Sequence, residues 1–360
     1  MHKKKCDEII KTLHRFDSKH IQQSPQIDEL IKQLITHLIT YTQERGFSDI
    51  HLEPQNDSLR IRIRADGLLY EFSSLPSSLT EQVITKLKVM ASLDIGQKIL
   101  PQDGRMRLNQ HIRISTCPTH LGEKIVLRFL HHENKLLPID ALGFHEDDLM
   151  RITHCIESPQ KLILVTGPTG SGKTTTLYSL LNHINTPEKN IMTIEDPVET
   201  ILPGINQIQL NEKAGLTFEK GLRAFLRQDP DVIMIGEIRD QQTANLAIHA
   251  ALTGHLVLAT LHTTSTSDAI TRLKQMNIPE DQINATLACV IAQRLFRKLC
   301  DHCHSSQGCE HCYQGYSGRF ALLETLFPHS KEKSPNLKAQ AYHAARKKMT
   351  SLTEIQRVLS

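Results

Sequence analysis

The spacing of apolar positions changes along the chain, and each change marks a different kind of element. Residues 1–24 are polar and lysine-rich and read as an arm that is poorly ordered or loosely docked. From Ile27 the spacing is helical: Ile27, Leu30, Ile31, Leu34, Ile35, Leu38 and Ile39 share one face, and Gly46 ends the run. In SLRIRIRADGLLYEF the period falls to two, with Leu59, Ile61 and Ile63 alternating with Arg60, Arg62 and Arg64 before a turn at Asp66-Gly67. That predicts a hairpin with one buried face. GRMRLNQHIRISTCP predicts a second hairpin and EKIVLRFL a further strand, so residues 25–132 read as a small α+β domain.

Residues 133–142, polar and carrying Pro138, read as a linker. Over 143–360 the pattern is different. KLILVTG, NIMTIED, DVIMIGE and HLVLATLH are short, near-continuous apolar runs, each followed by turn and helix signals. Strands buried on both faces have this signature, so the expectation is an α/β domain with a mostly parallel sheet flanked by helices. The stretch from roughly 335 to 360 reads as a basic helical tail.

Composition narrows the function. With 42 basic and 39 acidic residues the net charge is only +3, which argues against a dedicated nucleic-acid binder. Tryptophan is absent and aromatics are few, so a stacking platform for single strands is excluded as well. No apolar run reaches the length of about 18 residues that a membrane-spanning helix needs. The start lacks the apolar core of a secretory signal, so a cytoplasmic location is expected. Four of the eight cysteines crowd into residues 300–312, which in a reducing compartment reads as a metal site.

The segment Gly167-Pro168-Thr169-Gly170-Ser171-Gly172-Lys173-Thr174, followed by Thr175, fits G-x-x-x-x-G-K-[ST] in full. Leu162–Val165 supply the strand before it, and Leu177, Leu180, Leu181 and Ile184 the buried stripe of the helix after it. In such a loop glycines let backbone N–H groups curl around phosphates at a positive helix end. Lys173 would then reach the β- and γ-phosphates and the Thr174 hydroxyl would ligate magnesium. Two strand ends offer acids. Glu237 follows DVIMIG and is expected in the magnesium shell, because Gly236 stands where other enzymes with this loop often have Asp. Glu195, at the end of NIMTIE, is the candidate for polarising the attacking water. His255 and His262 bracket LVLATL; they either contact the γ-phosphate or serve only as structural residues.

GPTGSGKTTTLY, TIEDPVE, LRQDPDVIMIGEIRD and LTGHLVLATLHT occur in the order and spacing of a known family. They resemble the Walker A, Asp-box, Walker B and His-box segments of the type II secretion and type IV pilus assembly ATPases, competence-pilus relatives included. Upstream, SDIHLEP, RIRADG, PQDGR and RISTCPTHLGEKIVLR are similar to that family's second N-terminal domain. Downstream, QRLFRKLC, the cysteine quartet and GYSGR are similar to its assembly-type members. The resemblance covers roughly residues 25–330. It implies a RecA-like ATPase domain behind a PAS-like α+β domain, a homo-hexameric ring holding ATP between subunits, and an inner-membrane platform protein as partner. The chain would then lie in the cytoplasm, peripheral to the inner membrane, and move pilin-like subunits.

The resemblance also gives Arg64 and Arg105 a role at a neighbouring γ-phosphate, with Arg113 a weaker candidate, whereas Arg60 and Arg62 read as solvating a strand face. It gives Arg223, Arg227 and Arg239 contacts in the ring. Cys300-x-x-Cys303 and Cys309-x-x-Cys312 suit a tetrahedral zinc knob, although only residues 304–308 connect the pairs and His302, His304 or His311 can substitute as ligand. More than a hundred residues separate the quartet from the phosphate loop, so ATP binding is expected to survive loss of that metal.

Further departures are Gln242, where the family usually has glutamate, and Thr264, where it often has asparagine. No counterpart of the family's additional N-terminal docking domain precedes Ile27, so that docking route is expected to be missing or replaced. The alternatives to an assembly motor are a retraction motor, against which the quartet argues, and a nucleotide-binding scaffold without turnover.

Overall fold

A computed structural model describes residues 2–16, 24–108, 110–129, 136–303, 308–330 and 334–360. Chain contacts divide it into two compact units, Met1–Glu133 and Asn134–Ser360.

The first unit is helix on sheet. α1 (His2–Leu13) and α2 (Pro25–Glu44) precede β1 (Asp49–Pro54), β2 (Ser58–Ala65) and β3 (Leu68–Pro76); α3 (Thr80–Met90) then leads to β4 (Gln102–Leu108), β5 (Gln110–Thr119) and β6 (Gly122–Phe129). The six strands form one antiparallel sheet in the order β3-β2-β1-β6-β5-β4. The apolar stripe of α2 packs on Ile50, Leu52, Leu59, Ile61 and Ile63, so the period-two pattern buries one sheet face as expected. The arm reading needs correction over His2–Leu13. Cys6, Ile10 and Leu13 recur at helical spacing and are buried in this same core, which docks α1.

The arginines of β2 do more than solvate a strand. β1 is central, and its polar residues Asp49, His51 and Glu53 are buried. Glu53 accepts from Arg60 at 2.9 Å, Arg62 at 2.7 Å and Lys124 at 2.8 Å. Burial alone would raise its carboxyl, but Arg62, Lys124 and Arg60 together hold it down to about 2. A chain of residues that each read as surface polar therefore forms a packed charge layer over the central strand.

The linker reading lies partly outside the described residues. Ile139–Leu142 form a 3-10 turn, and Ile139 and Leu142 are buried in the core of the second unit. From there the unit runs α4 (Glu146–Glu157), β7 (Lys161–Thr166), α5 (Lys173–Ile184), β8 (Ile191–Glu195), β9 (Asn206–Gln209), α6 (Phe218–Phe225), β10 (Val232–Ile235), α7 (Gln241–Leu252) and β11 (Leu256–Leu261). It continues through α8 (Thr266–Gln275), α9 (Glu280–Thr286), β12 (Leu287–Leu299), β13 (Tyr316–Leu326), α10 (Leu337–Arg346) and α11 (Leu352–Leu359).

The seven strands form one sheet in the order β13-β12-β7-β11-β10-β8-β9. Every pairing is parallel except the β12–β13 hairpin, so the fold is α/β with a mixed sheet. Two apolar clusters cover the unit's strands: Leu162, Leu164, Ile194 and Ile235 belong to one, Ile163, Val165, Ile191 and Leu258 to the other. Burial on both faces is the reason these strands lack polar alternation. Because β7, β8, β10 and β11 run the same way, their carboxyl ends share one sheet edge, where ligands of such sheets bind.

Candidate functional site

At that edge β7 opens into the loop 167–172, which feeds directly into α5. Gly167 has φ +151°, Gly170 +78° and Gly172 +89°. The first and last of these are also packed shut. A Cβ on Gly167 would lie 2.5 Å from the Gln293 carbonyl oxygen, and one on Gly172 would lie 2.8 Å from Gln293 Nε2. Glycine is required here by both conformation and close approach. The free N–H groups at the start of α5 then face the concavity, the arrangement that binds anions at helix ends. Ser171 Oγ is buried in this loop without a hydrogen-bond partner among the described residues.

Lys173 Nζ donates to the carbonyls of Gly167 at 2.9 Å and Pro168 at 3.1 Å. Burial lowers its pKa and Glu237 works against that shift. Among the described residues this buried ammonium rests on two neutral carbonyls and makes no ion pair, so an arriving phosphate can take it. Thr176 anchors the next turn by donating to Gln293 Oε1 at 2.7 Å.

The acids converge from neighbouring strand ends. Glu237 follows β10, accepts from His262 Nε2 at 3.1 Å and pairs with Arg239. Gly236 cannot easily carry a side chain: a Cβ there would meet the Ile194 carbonyl oxygen at 3.2 Å and Glu195 Cα at 3.3 Å. A side chain at 236 would therefore need its neighbours to give by a few tenths of an ångström, and the acid here stands at 237. Glu195 closes β8, is buried, and accepts from Thr193 Oγ1 at 2.5 Å, Gln207 Nε2 at 3.1 Å and the Tyr178 hydroxyl. Burial and the adjoining Glu195 charge push the Tyr178 phenol well above its usual range, so it stays a donor.

Glu199, which the sequence reading did not single out, accepts from the Thr174 hydroxyl at 3.5 Å. Crowding by protein atoms and the charge of Glu195 raise its pKa, although part of its surface stays open to solvent. The motif TIEDPVE ends on this residue, and that was the available signal.

Thr169, Gly170, Gly172, Lys173, Thr174, Thr175, Glu195, Glu199, Glu237 and His262 thus line one cleft of about 440 Å³, within the size range of small-ligand sites. Two histidines that the sequence treats alike are separated. His262 follows the carboxyl end of β11 beside the loop, whereas His255 precedes its amino end and bonds the Ala250 carbonyl at 2.8 Å. His255 is therefore a helix-end contact of α7, outside the cleft. Asp240 is likewise structural, capping α7 through the Thr243 amide at 2.8 Å. Arg223 pairs with Glu219 at 3.0 Å, and Arg227 donates to the Arg223 carbonyl at 2.6 Å. Arg64 and Arg105 belong to the first unit. Arg64 reaches Asp49 at 3.3 Å, and Arg105 lies opposite Arg113, which pairs with Asp103 at 3.3 Å.

Cys300, Cys303, Cys309 and Cys312 gather at the loop end of the β12–β13 hairpin, where the Cys300 amide donates to the Gly315 carbonyl at 2.8 Å. Sulfur separations are 3.8 Å for Cys300–Cys309, 3.5 Å for Cys303–Cys312 and 3.7 Å for Cys309–Cys312. A tetrahedron with metal–sulfur bonds of about 2.3 Å has edges of about 3.8 Å, so the donor set fits a thiolate metal site. The backbone N–H of His302 pulls the Cys300 thiol down to about 7 against the effect of burial. The rings of His302 and His311 face each other at 4.3 Å. His304 lies outside the described residues.

The protein transport protein HofB homolog of Escherichia coli is 46% identical over 320 residues, covering 82% of this chain and 69% of that one. The type IV pilus assembly ATPase PilB of Thermus thermophilus is 43% identical over 358 residues; the match covers 90% of this chain but only 40% of the longer PilB. Among solved structures, the pilus retraction motor PilT with bound ADP superposes with a TM-score of 0.58 at 28% identity, covering 89% of this chain and 91% of PilT. A family model for type II/IV secretion system proteins matches residues 24–358, and the chain belongs to that family.

Proposed function

We propose that this chain is the ATP-hydrolysing motor of a type II secretion system or a type IV or competence pilus, and that it drives assembly of pilin-like subunits. The observation that carries this reading is the convergence of Lys173, Thr174, Glu195, Glu237 and His262 on one glycine-bounded cleft at a helix N-terminus. A scaffold without turnover needs the cradle alone; it has no use for two strand-end carboxylates and a histidine facing it.

In this reading the loop 167–172 and the start of α5 hold the phosphates of ATP, Lys173 leaves its two carbonyls for them, and Thr175 supports the α-phosphate side. Magnesium, held through Thr174 with Glu237 in its shell, would neutralise charge between the β- and γ-phosphates. Glu195, fixed by Thr193, Gln207 and Tyr178, orients the water that attacks the γ-phosphate. His262 holds Glu237 from one side and is placed to follow loss of the γ-phosphate. Zinc, held by Cys300, Cys303, Cys309 and Cys312, would pin the hairpin end as a structural knob.

The second unit is read as RecA-like and the first as PAS-like. Arg64 and Arg105 are read as reaching a neighbouring subunit's phosphate in a homo-hexameric ring. The ring would sit in the cytoplasm against the inner-membrane platform protein; no helix among the described residues is long and apolar enough to cross a membrane. Assembly is favoured over retraction because identity is 46% and 43% to the HofB homolog and PilB against 28% to PilT. Replacing the chain in its own cell by the Lys173→Ala form tests this. Secretion or pilus assembly should stop with the protein at normal level; unaltered assembly would refute the motor role.

A further inference from the structure

β12 overruns its neighbour. Its parallel pairing with β7 ends at Ala292 opposite Thr166, where β7 gives way to the phosphate loop. The next residues of β12 become the wall of that loop. Gln293 abuts both Gly167 and Gly172, and Leu295 Cδ1 lies 3.6 Å from where a Cβ on Gly172 would sit. Packing this close transmits a small shift of the strand directly into the loop.

β13 returns alongside, with Ala321 opposite Leu295 and Arg319 opposite Arg297. Like charges facing each other across a ladder are unfavourable. Here they are separated in role. Arg297 is buried against Glu354 at 2.7 Å and lies over the Tyr316 ring at 3.9 Å, whereas Arg319 is exposed and lines the phosphate cleft together with Leu295. The ionisable acids and bases lining that cleft, His262 apart, are Glu195, Asp196, Glu199 and Glu237 against Lys173 and Arg319, with Arg239 paired to Glu237. With Arg239 already paired to Glu237, Lys173 and Arg319 are the lining cations that an incoming polyphosphate can meet.

Arg319 lies three residues past Tyr316, where β13 leaves the hairpin's connecting loop. The ladder shifts register between Arg297 and Leu299, and beyond it come the pair Leu299–Tyr316 and the Cys300–Gly315 bond. After those the four sulfurs close the loop. Leu295 and Cys300 are five residues apart, about 16 Å of extended chain that includes this register shift.

We propose that Arg319 contacts the bound nucleotide, and that the metal-closed cysteine cluster positions it through the β12–β13 hairpin. The inference rests on the reading of the cleft as an ATP site. It narrows the expectation, drawn from separation in sequence, that ATP binding survives loss of the metal: binding survives, but weaker. Coupling of this kind is reciprocal: whatever the metal adds to nucleotide affinity, the nucleotide adds to metal affinity.

The test uses the full chain and a non-hydrolysable ATP analogue, with binding followed by calorimetry in zinc-loaded and chelator-stripped protein. Zinc affinity is measured by equilibrium competition with a chromogenic chelator, with and without the analogue. Arg319→Gln should weaken analogue binding about tenfold, the loss expected for one charge-assisted hydrogen bond, and Arg319→Lys should recover part of it. Stripping zinc should weaken the wild type by a similar factor and add little in Arg319→Gln. The analogue should tighten zinc in the wild type and not in Arg319→Gln, a readout taken on folded, loaded protein even where the stripped hairpin unravels.

Unchanged analogue affinity in Arg319→Gln overturns the contact. Zinc affinity indifferent to the analogue, or a chain that holds no zinc, overturns the coupling. If Lys173→Ala abolishes binding while Arg319→Gln leaves it intact, the ATP site stands and this inference falls. A wild type without nucleotide affinity overturns both.

Discussion

Thr176 Oγ1 donates to Gln293 Oε1 at 2.7 Å, tying the helix behind the phosphate loop to the strand that ends in the cysteine cluster. Both groups are buried, so each depends on the other for its hydrogen bond. Thr176→Val would leave the Gln293 amide oxygen unpaired and should cost about 1–3 kcal/mol of stability. Chemical denaturation reads this directly. A midpoint equal to wild type would mean that the side chains repack around the loss.

Lys173 and Glu195 should fail at different steps. Lys173→Ala removes the buried ammonium and should weaken ATP binding together with hydrolysis. Glu195→Gln should leave ATP bound but slow turnover by about 10²-fold or more, because the cradle is intact and the water is no longer polarised. Separate titrations of binding and of phosphate release distinguish the two. A Glu195→Gln protein that turns over at the wild-type rate removes Glu195 from the mechanism, and Glu199 beside Thr174 becomes the residue to change next.

Glu354 gives a pH signature. Burial would raise its carboxyl, but Arg357 and Arg297 hold it at about 2 in the folded chain instead of 4.5. A lowered folded pKa means its contribution is complete above pH 4.5 and is lost as pH falls from there towards 2. Glu354→Gln should therefore destabilise the second unit by about 3 kcal/mol at neutral pH, since it strands the buried Arg297, and should flatten acid denaturation in that window. An acid-unfolding curve of unchanged slope would show that other groups set it.

If Arg64 works on a neighbour's phosphate, mixtures should complement. Arg64→Ala and Lys173→Ala are each expected to be inactive, yet a mixed ring contains interfaces with an intact lysine facing an intact arginine. Mixing at a fixed total concentration should recover part of the activity. Rings that assemble but show no recovery would mean that Arg64 acts within its own subunit or only pairs with Asp49.

Much of the fold was legible because its signals are local. Alternation at Leu59, Ile61 and Ile63 fixed a buried face, and four apolar runs ending in Gly, Asp, Glu and His located the strands that carry the cleft. What escaped depends on neighbours distant in sequence. β12 and β13 were read only as motif segments, although their pairing builds the wall of the phosphate loop. Cys6, Ile10 and Leu13 look unremarkable in a lysine-rich stretch until α2 offers them a face. The difference between His255 and His262 is invisible in sequence, because it follows from the direction of β11 relative to β7. Glu199 and Arg319 are charged residues of ordinary appearance, and only the folded cleft gives them company.

The central claim is that this cleft hydrolyses ATP and that turnover depends on assembly. Its most direct test is phosphate release by purified chain with magnesium and ATP across a range of protein concentrations, with Lys173→Ala in parallel. The account predicts activity per chain that rises with concentration as rings form and that is absent in Lys173→Ala. Hydrolysis that persists in Lys173→Ala, or no hydrolysis by wild-type rings, would contradict it.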